Sequence, residues 1–351
     1  MPGNSIGTSF RVTTFGESHG AAVGVIVDGV TPGVKLSEED IQPRLDRRKP
    51  GQSEAASPRE EPDRVHILSG VFQGRTTGTP LFLMLYNRDA RSEDYLAIKD
   101  LFRPGHADYT YLAKYGIRDY RGSGRASGRE TAARVAAGAV AQKLLERIGV
   151  TIVAYTHAVA GVVCTEIDET QIDKNVLRAP DAGAAAVMLE EVRKAREAGD
   201  SVGGIVACRI RGLPAGLGEP VFDRLDADLA KAVLSIGSVK AIEFGGGFRL
   251  AAMRGSEAND QMSRSGFLTN HAGGILGGIS TGEEILFRIA VKPTSSIALP
   301  QKTIGVDGEE REMSTKGRHD PCICPRIVPV VEAMAAIVLV DHLKRQAALH
   351  G

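Results

Sequence analysis

Residues 327–340 form an almost unbroken apolar run in which Glu332 is the one charged side chain. A helix that is hydrophobic on every face has no water-facing side and must be buried. The run is shorter than the roughly 20 residues that span a bilayer. It is therefore expected as a buried core helix, and a C-terminal helix is expected over about 330–349. A chain of 351 residues can bury such an element. No stretch has the composition of a long linker, so residues 1–351 are expected to form a single catalytic-type domain.

The rest of the chain alternates short β-rich runs with glycine turns. Strands are expected over 10–15, 23–30, 65–72, 80–86, 151–156, 203–210 and 284–291, with 80–86 buried on both faces. Ser37 and the acidic residues after it open a helix that ends near 47–49, before Pro50-Gly51. Further helices are expected over 130–148, 184–198 and 224–236. Residues 51–64 are polar, carry Pro58 and Pro62, and read as a loop. Neighbouring strand runs look like hairpins rather than βαβ units, which points to an α+β fold. Both halves share a cadence of strands, long helix and glycine-rich loop, so an internal pseudo-two-fold is suspected.

Lys+Arg and Asp+Glu both number 43, giving zero net charge. A general nucleic-acid or membrane-surface binder would carry a basic excess. Any anion site must come from local clusters. Cys164, Cys208, Cys322 and Cys324 form no C-x-x-C pair and no His-x-x-x-His occurs, so no metal site is expected. Reduced, partly buried thiols and the lack of a signal-peptide pattern point to the cytoplasm.

One cluster stands out. Residues 121–130 hold three arginines and three glycines directly before a helix, and Ser127-x-x-Glu130 reads as a capping box. Helix N-terminal N–H groups and guanidinium forks together favour phosphate or carboxylate. There is no P-loop, and the near-match Gly122-x-Gly124-x-x-Ser127 lacks the third glycine and acidic partner of a dinucleotide fingerprint. Ser18 and His19 sit between glycines after a strand, where adjacent residues rarely face each other. His106 sits on a Pro-Gly turn. Arg44, Arg47, Arg48 and Lys49 suit a helix C-terminus, or a clamp on an anion. Lys292 and the hydroxyls after it suit a phosphate. Residues 316–321 pack base, imidazole and acid into one turn. Residues 270–278 are nearly free of side chains, which permits either close packing or approach of a flat ligand.

The segments at 15–20, 102–109, 121–130, 270–278, 292–296 and 316–321 together resemble the chorismate synthase family, in order and across nearly the whole chain. The resemblance implies an α+β, βαβ sandwich fold, usually homotetrameric. It implies a lyase of the shikimate pathway that converts 5-enolpyruvylshikimate 3-phosphate to chorismate and phosphate. That reaction is a 1,4-anti elimination that needs reduced FMN without net redox change. Carried over by motif, Arg125, Ala126, Ser127, Gly237, Ser238, Gly277, Lys292, Pro293, Thr294, Ser295, Ser296 and Arg318 would contact the flavin. Arg48 and Arg129 would hold substrate anions, with Arg47 and Arg134 as further candidates. His19, beside Ser18, would assist the leaving phosphate, and His106 would stabilise charge on the reduced flavin ring. Asp320 and Ser127 would support removal of the ring proton through the flavin N5.

Two positions depart from the family pattern. Ala126 stands where Arg-Ser-Ser is commoner, and Glu54 stands where relatives often have a basic residue linked to NADPH binding. Glu54, with the lack of the long insertion of fungal bifunctional relatives, points to an external flavin reductase or reductant, and the zero net charge points to no nucleic-acid or membrane partner. Two other classes fit the residues: a non-catalytic flavin- or phosphate-binding protein, and a phosphatase-like enzyme with Ser18 or His19 as nucleophile.

Overall fold

The computed structural model describes residues 3–51, 55, 59, 61–89, 92–315 and 319–350. The apolar run lies inside the helix Cys324–His350, in which every residue from Cys324 to His342 except Arg326 is buried. This helix begins at Cys324 rather than at Val330. Pro325 is tolerated because first-turn N–H groups have no intrahelical acceptor.

Two five-stranded antiparallel sheets flank the helices. The first contains β1 (Ser5–Ile6), β2 (Arg11–Gly16), β3 (Ala22–Asp28), β4 (Val65–Ser69) and β5 (Leu81–Tyr86), in the order β1-β2-β3-β5-β4. The second contains β6 (Thr151–Val159), β7 (Val162–Val163), β8 (Gly204–Arg211), β9 (Val239–Phe244) and β10 (Ile285–Val291), in the order β9-β10-β8-β6-β7. The principal helices are α1 (Glu38–Arg48), α2 (Asp108–Tyr115), α3 (Thr131–Glu146), α4 (Ala182–Glu197), α5 (Leu225–Leu234) and α6 (Cys324–His350). Helix α3 packs on the first sheet and α6 on the second, and the two pack on each other, so the helices form the filling of a sandwich.

Strand pairing brings the alternating apolar residues into register. Val23, Val25 and Val27 of β3 face Leu85, Leu83 and Leu81 of β5, and all six are buried. The residues between the leucines, Phe82 and Met84, are only partly buried. Segment 80–86 is thus covered fully on one face, not two, because its sheet packs on helices from one side. In the second sheet Val206, Cys208 and Ile210 pair with Ile289, Phe287 and Ile285 in the same way. All four cysteines are buried and unbridged.

The suspected internal symmetry is present in the topology. The series β2-β3-α1-β4-β5-α3 has the same pairing as β6-β8-α5-β9-β10-α6. In each half the shorter helix packs on the longer one, α1 on α3 and α5 on α6. The long helices cross at Gly138, where a Cβ would lie 2.3 Å from that of Ala333. Only glycine permits this approach. The N-terminal segment is fastened to α6 by Asp341, whose Oδ1 accepts the N–H groups of Thr8, Ser9 and Phe10 at 2.6–2.8 Å.

Candidate active site

The sandwich brings the N-termini of α3 and α6 to one cavity of about 330 Å³, within the ~300–1,000 Å³ of small-molecule sites. Gly128 and Arg129, in the turn before α3, line it with Thr131 of α3, and Ile323, just before α6, lines it with Arg326 and Ile327 of α6. Both helix dipoles therefore add positive potential there.

The arginine-rich loop reaches α3 through three consecutive left-handed residues, Gly122, Ser123 and Gly124. Ser127 Oγ accepts the Arg129 N–H at 3.3 Å. Glu130 does not complete the capping box. Its carboxylate accepts from Thr14 Oγ1 and from Arg134 Nε, each at 2.8 Å. A charged partner outcompetes the Ser127 N–H for that carboxylate.

Arg48 and Arg129 share one buried carboxylate. Arg48 Nη1 lies 2.9 Å from Asp63 Oδ2, and Arg129 Nη1 donates to Asp63 Oδ1. Arg48 also donates to Thr131 Oγ1 at 3.1 Å and to the Gly128 carbonyl at 2.7 Å. Burial, helped by Arg326 and Arg129, lowers the Arg48 guanidinium to about 10. It stays charged at neutral pH, in a cluster with more positive charge than Asp63 alone can offset. Arg326 Nη1 donates to Asp320 Oδ2 at 2.6 Å. Lys292 Nζ reaches the Gly105 carbonyl at 2.7 Å, and burial lowers its pKa.

His106 lies over a second ion pair, in which Arg103 Nε and Nη2 each bond Asp108 at 2.8 Å. Burial first, then Arg103 and Lys292, lowers the His106 pKa despite Asp108. His319, also on the cavity, is pushed down to about 4 by burial and by Arg103. Its Nε2 is buried and has no hydrogen-bond partner among the described residues. Both rings are thus neutral at pH 7.

Of the residues proposed from sequence, Ser18, Arg48, His106, Ala126, Ser127, Arg129, Gly237, Ser238, Lys292, Thr294, Ser295, Ser296 and Asp320 line this cavity. His19 stands one step behind it. Its Nδ1 is 3.1 Å from Ser18 Oγ, and its ring meets Tyr95 edge-on. The two face each other because they lie in a turn after β2 rather than in a strand.

The remaining proposed residues point elsewhere. Arg47 is paired with Glu332 at 2.5 Å and Asp173 at 3.4 Å. Arg125 bonds Thr14 Oγ1 at 2.7 Å and the Gly16 carbonyl at 3.1 Å, and Arg134 bonds Ser235 Oγ at 2.6 Å. Both arginines line a separate cleft of about 230 Å³. Pro293 and Gly277 are not on the cavity wall. Gly273 and Gly274 are packed against the backbone of Gly245 and Glu284, so close packing accounts for the side-chain-poor segment. Arg318 and Glu54 lie outside the described residues.

Sequence reasoning gave no role to Asp63, Glu61, Arg103, Asp108, Ser123, His319 or Arg326. Arg103, Asp108 and His319 sit inside motifs already noticed, so their charge beside a histidine was a usable signal. Asp63 had none, because its partners come from distant segments.

Among the described residues no helix is long and apolar enough to cross a membrane, and no cluster of His, Cys, Asp or Glu could hold a metal ion. Residues 10–344 match the family model described as chorismate synthase. The chain is 57% identical to the chorismate synthase of Chloroflexus aurantiacus, covering 99% of this chain and 96% of that one. It is 56% identical to that of Syntrophus aciditrophicus, covering 99% of each. A crystal structure of chorismate synthase superposes with a TM-score of 0.77 at 29% identity, over 97% of this chain and 93% of that one. Similarity of this extent, in both sequence and fold, means that the chain belongs to the chorismate synthase family.

Proposed function

We propose that the chain performs the family's reaction, the 1,4-anti elimination of phosphate from 5-enolpyruvylshikimate 3-phosphate to give chorismate, with reduced FMN held in the same cavity. The observation that carries this reading is the convergence of Arg48, Arg129, Arg326, Arg103 and Lys292 with two helix N-termini on one cavity. The substrate bears a phosphate and two carboxylates, and a neutral chain must gather cations locally to hold them.

The residues present suit a flavin. Thr294 Oγ1 is buried on the cavity wall without a hydrogen-bond partner among the described residues, and Ser238, Ser295, Ser296 and Lys292 stand near it in the lining. These groups, with the backbone at Ala126, Ser127 and Gly237, would hold the phosphate chain and ring edge. Loss of a hydroxyl at Ala126 leaves the backbone contact intact. Reduced FMN supplies an electron-rich plane that stabilises an electron-poor substrate ring.

The protein's own side chains do the rest. Arg48 and Arg129 orient the substrate through their charge and the Nη hydrogens left over by Asp63 and the Gly128 and Tyr86 carbonyls. Ser18 and His19 serve the departing phosphate, with His19 acting through the Ser18 hydroxyl. His106 presents a neutral imidazole to the ligand, and Asp320, held by Arg326, supports removal of the ring proton with Ser127. The reductant is external, the enzyme is cytoplasmic, and four copies assemble.

The test is substrate affinity. Arg48→Ala and Arg129→Ala should each weaken substrate binding by roughly 1.5–3 kcal/mol, the worth of a charge-assisted bond. Flavin binding should persist in both. Wild-type substrate affinity would refute the assignment. The Ser18–His19 contact also suits phosphoryl transfer to serine. That reaction would leave a trapped phosphoserine on rapid acid quench, and elimination leaves none.

A further inference from the structure

Ser123 is the one side-chain-bearing residue among three consecutive left-handed positions, with φ of 58° at Gly122, 72° at Ser123 and 52° at Gly124. A serine is strained there and a glycine is not. Ser123 is 7% exposed and lies on the cavity wall. What occupies its oxygen explains why the strain is tolerated. Arg103 Nη2 donates to Ser123 Oγ, and His106 Nε2 lies 3.4 Å from the same atom.

The direction of the second bond follows from the far side of the ring. The Ala107 N–H donates to His106 Nδ1 at 2.8 Å, and Arg103 Nη2 approaches that nitrogen at 3.4 Å. A ring nitrogen that accepts carries no proton, so the neutral imidazole bears its proton on Nε2. The Nε2–H group then donates to Ser123 Oγ. Both acceptor sites of that oxygen are occupied, one by Arg103 and one by His106. Its own proton must point away from them, and Ser123 itself lines the cavity.

We propose that Ser123 is a positioning residue for His106, holding the imidazole as its Nε2–H tautomer and turning its own hydroxyl toward the cavity as a donor to the bound ligand. The proposal deepens the role given above to His106 and rests on it. It also assigns a function to a side chain at a position where the backbone alone would favour glycine.

Ser123→Gly separates the contact from the fold. Glycine adopts the same backbone without strain, so the full-length variant should melt at or above the wild-type temperature. Ser123→Ala keeps the strain and loses the oxygen. The charged and titratable groups facing His106 are Arg103, Asp108, Lys292 and His319, and all remain in both variants. The direct readout is the pH titration of the His106 ring nitrogens by ¹⁵N NMR, without flavin or substrate. Removing an acceptor of the Nε2–H bond disfavours the imidazolium, so the His106 pKa should fall in both variants. With saturating reduced flavin, kcat should drop roughly fivefold to tenfold, the worth of about one hydrogen bond, with substrate KM little changed. An unmoved His106 titration in Ser123→Gly overturns the proposal, whatever the activity. A moved titration with unchanged kcat upholds the contact and refutes instead the part given to His106 in the reaction.

Discussion

Asp63 shows how single side chains set up this cavity. It is fully buried and takes a guanidinium from each side, one from Arg48 and one from Arg129. The two arginines hold its pKa down against burial. Asp63→Asn would leave two buried cations facing each other, at a cost in stability of ~3–5 kcal/mol by denaturant unfolding. Inorganic phosphate should raise the melting temperature of this variant more than that of the wild type, because an anion replaces the lost charge. A variant as stable as the wild type, or no phosphate effect, would contradict this picture. The partly buried histidines give a separate, pH-dependent signature. An unfolded histidine titrates near 6.5, and His319 is pushed down to about 4 in the fold. Between those values the unfolded chain binds more protons, so stability falls as pH drops from about 6.5 towards 4. For His319 the loss should be on the order of 3 kcal/mol. His319→Gln should flatten that limb, and an unchanged pH dependence in the variant would count against the assignment. Much of the site was readable at this scale, because Ser18, His106, Ser127 and Arg129 sit in short motifs whose chemistry is local. Asp63 was not readable, since only the fold brings residues 48, 63 and 129 together. Arg125 and Arg134, carried over from the resemblance as ligand contacts, bond Thr14 and Ser235 instead of lining this cavity, and a motif does not reveal which way each guanidinium turns.

The elements that matter most are the two long helices, whose N-termini form the cavity and whose crossing depends on Gly138. Gly138→Ala places a methyl 2.3 Å from the Ala333 Cβ. The helices must separate to accept it, at a cost of about 1–3 kcal/mol. Ala333→Gly should restore part of that loss in the double variant, measured by thermal or denaturant unfolding. A neutral Gly138→Ala would mean that the crossing is not as close as described. Element types were largely legible, because alternation and apolar periodicity report burial directly. Boundaries were less so. Helix α6 is expected from about residue 330 but begins at Cys324, where first-turn geometry accommodates Pro325. The run 80–86 looked buried on both faces, yet one sheet face is only partly covered. The Ser127 capping box was half realised, because Glu130 was drawn to Arg134.

For the whole molecule, two halves of matching topology meet along α3 and α6, and both contribute walls to one cavity. The first half supplies the arginine loop and His106, and the second supplies Ser238, Lys292, Thr294, Ser295 and Ser296. The cadence of the sequence hinted at this repeat, and only strand pairing made it definite. A chain with zero net charge gathers Arg48, Arg103, Arg129, Lys292 and Arg326 on one cavity. The central claim is that this cavity eliminates phosphate with the help of reduced FMN and without consuming electrons. The most direct measurement is a strictly anaerobic turnover assay with purified protein, 5-enolpyruvylshikimate 3-phosphate and pre-reduced FMN, following chorismate absorbance and flavin redox state together. The account predicts chorismate and phosphate in equal amounts, many turnovers per flavin, and flavin still reduced at the end. Absence of chorismate under these conditions, or equal turnover in air with oxidised FMN and no reductant, would contradict it.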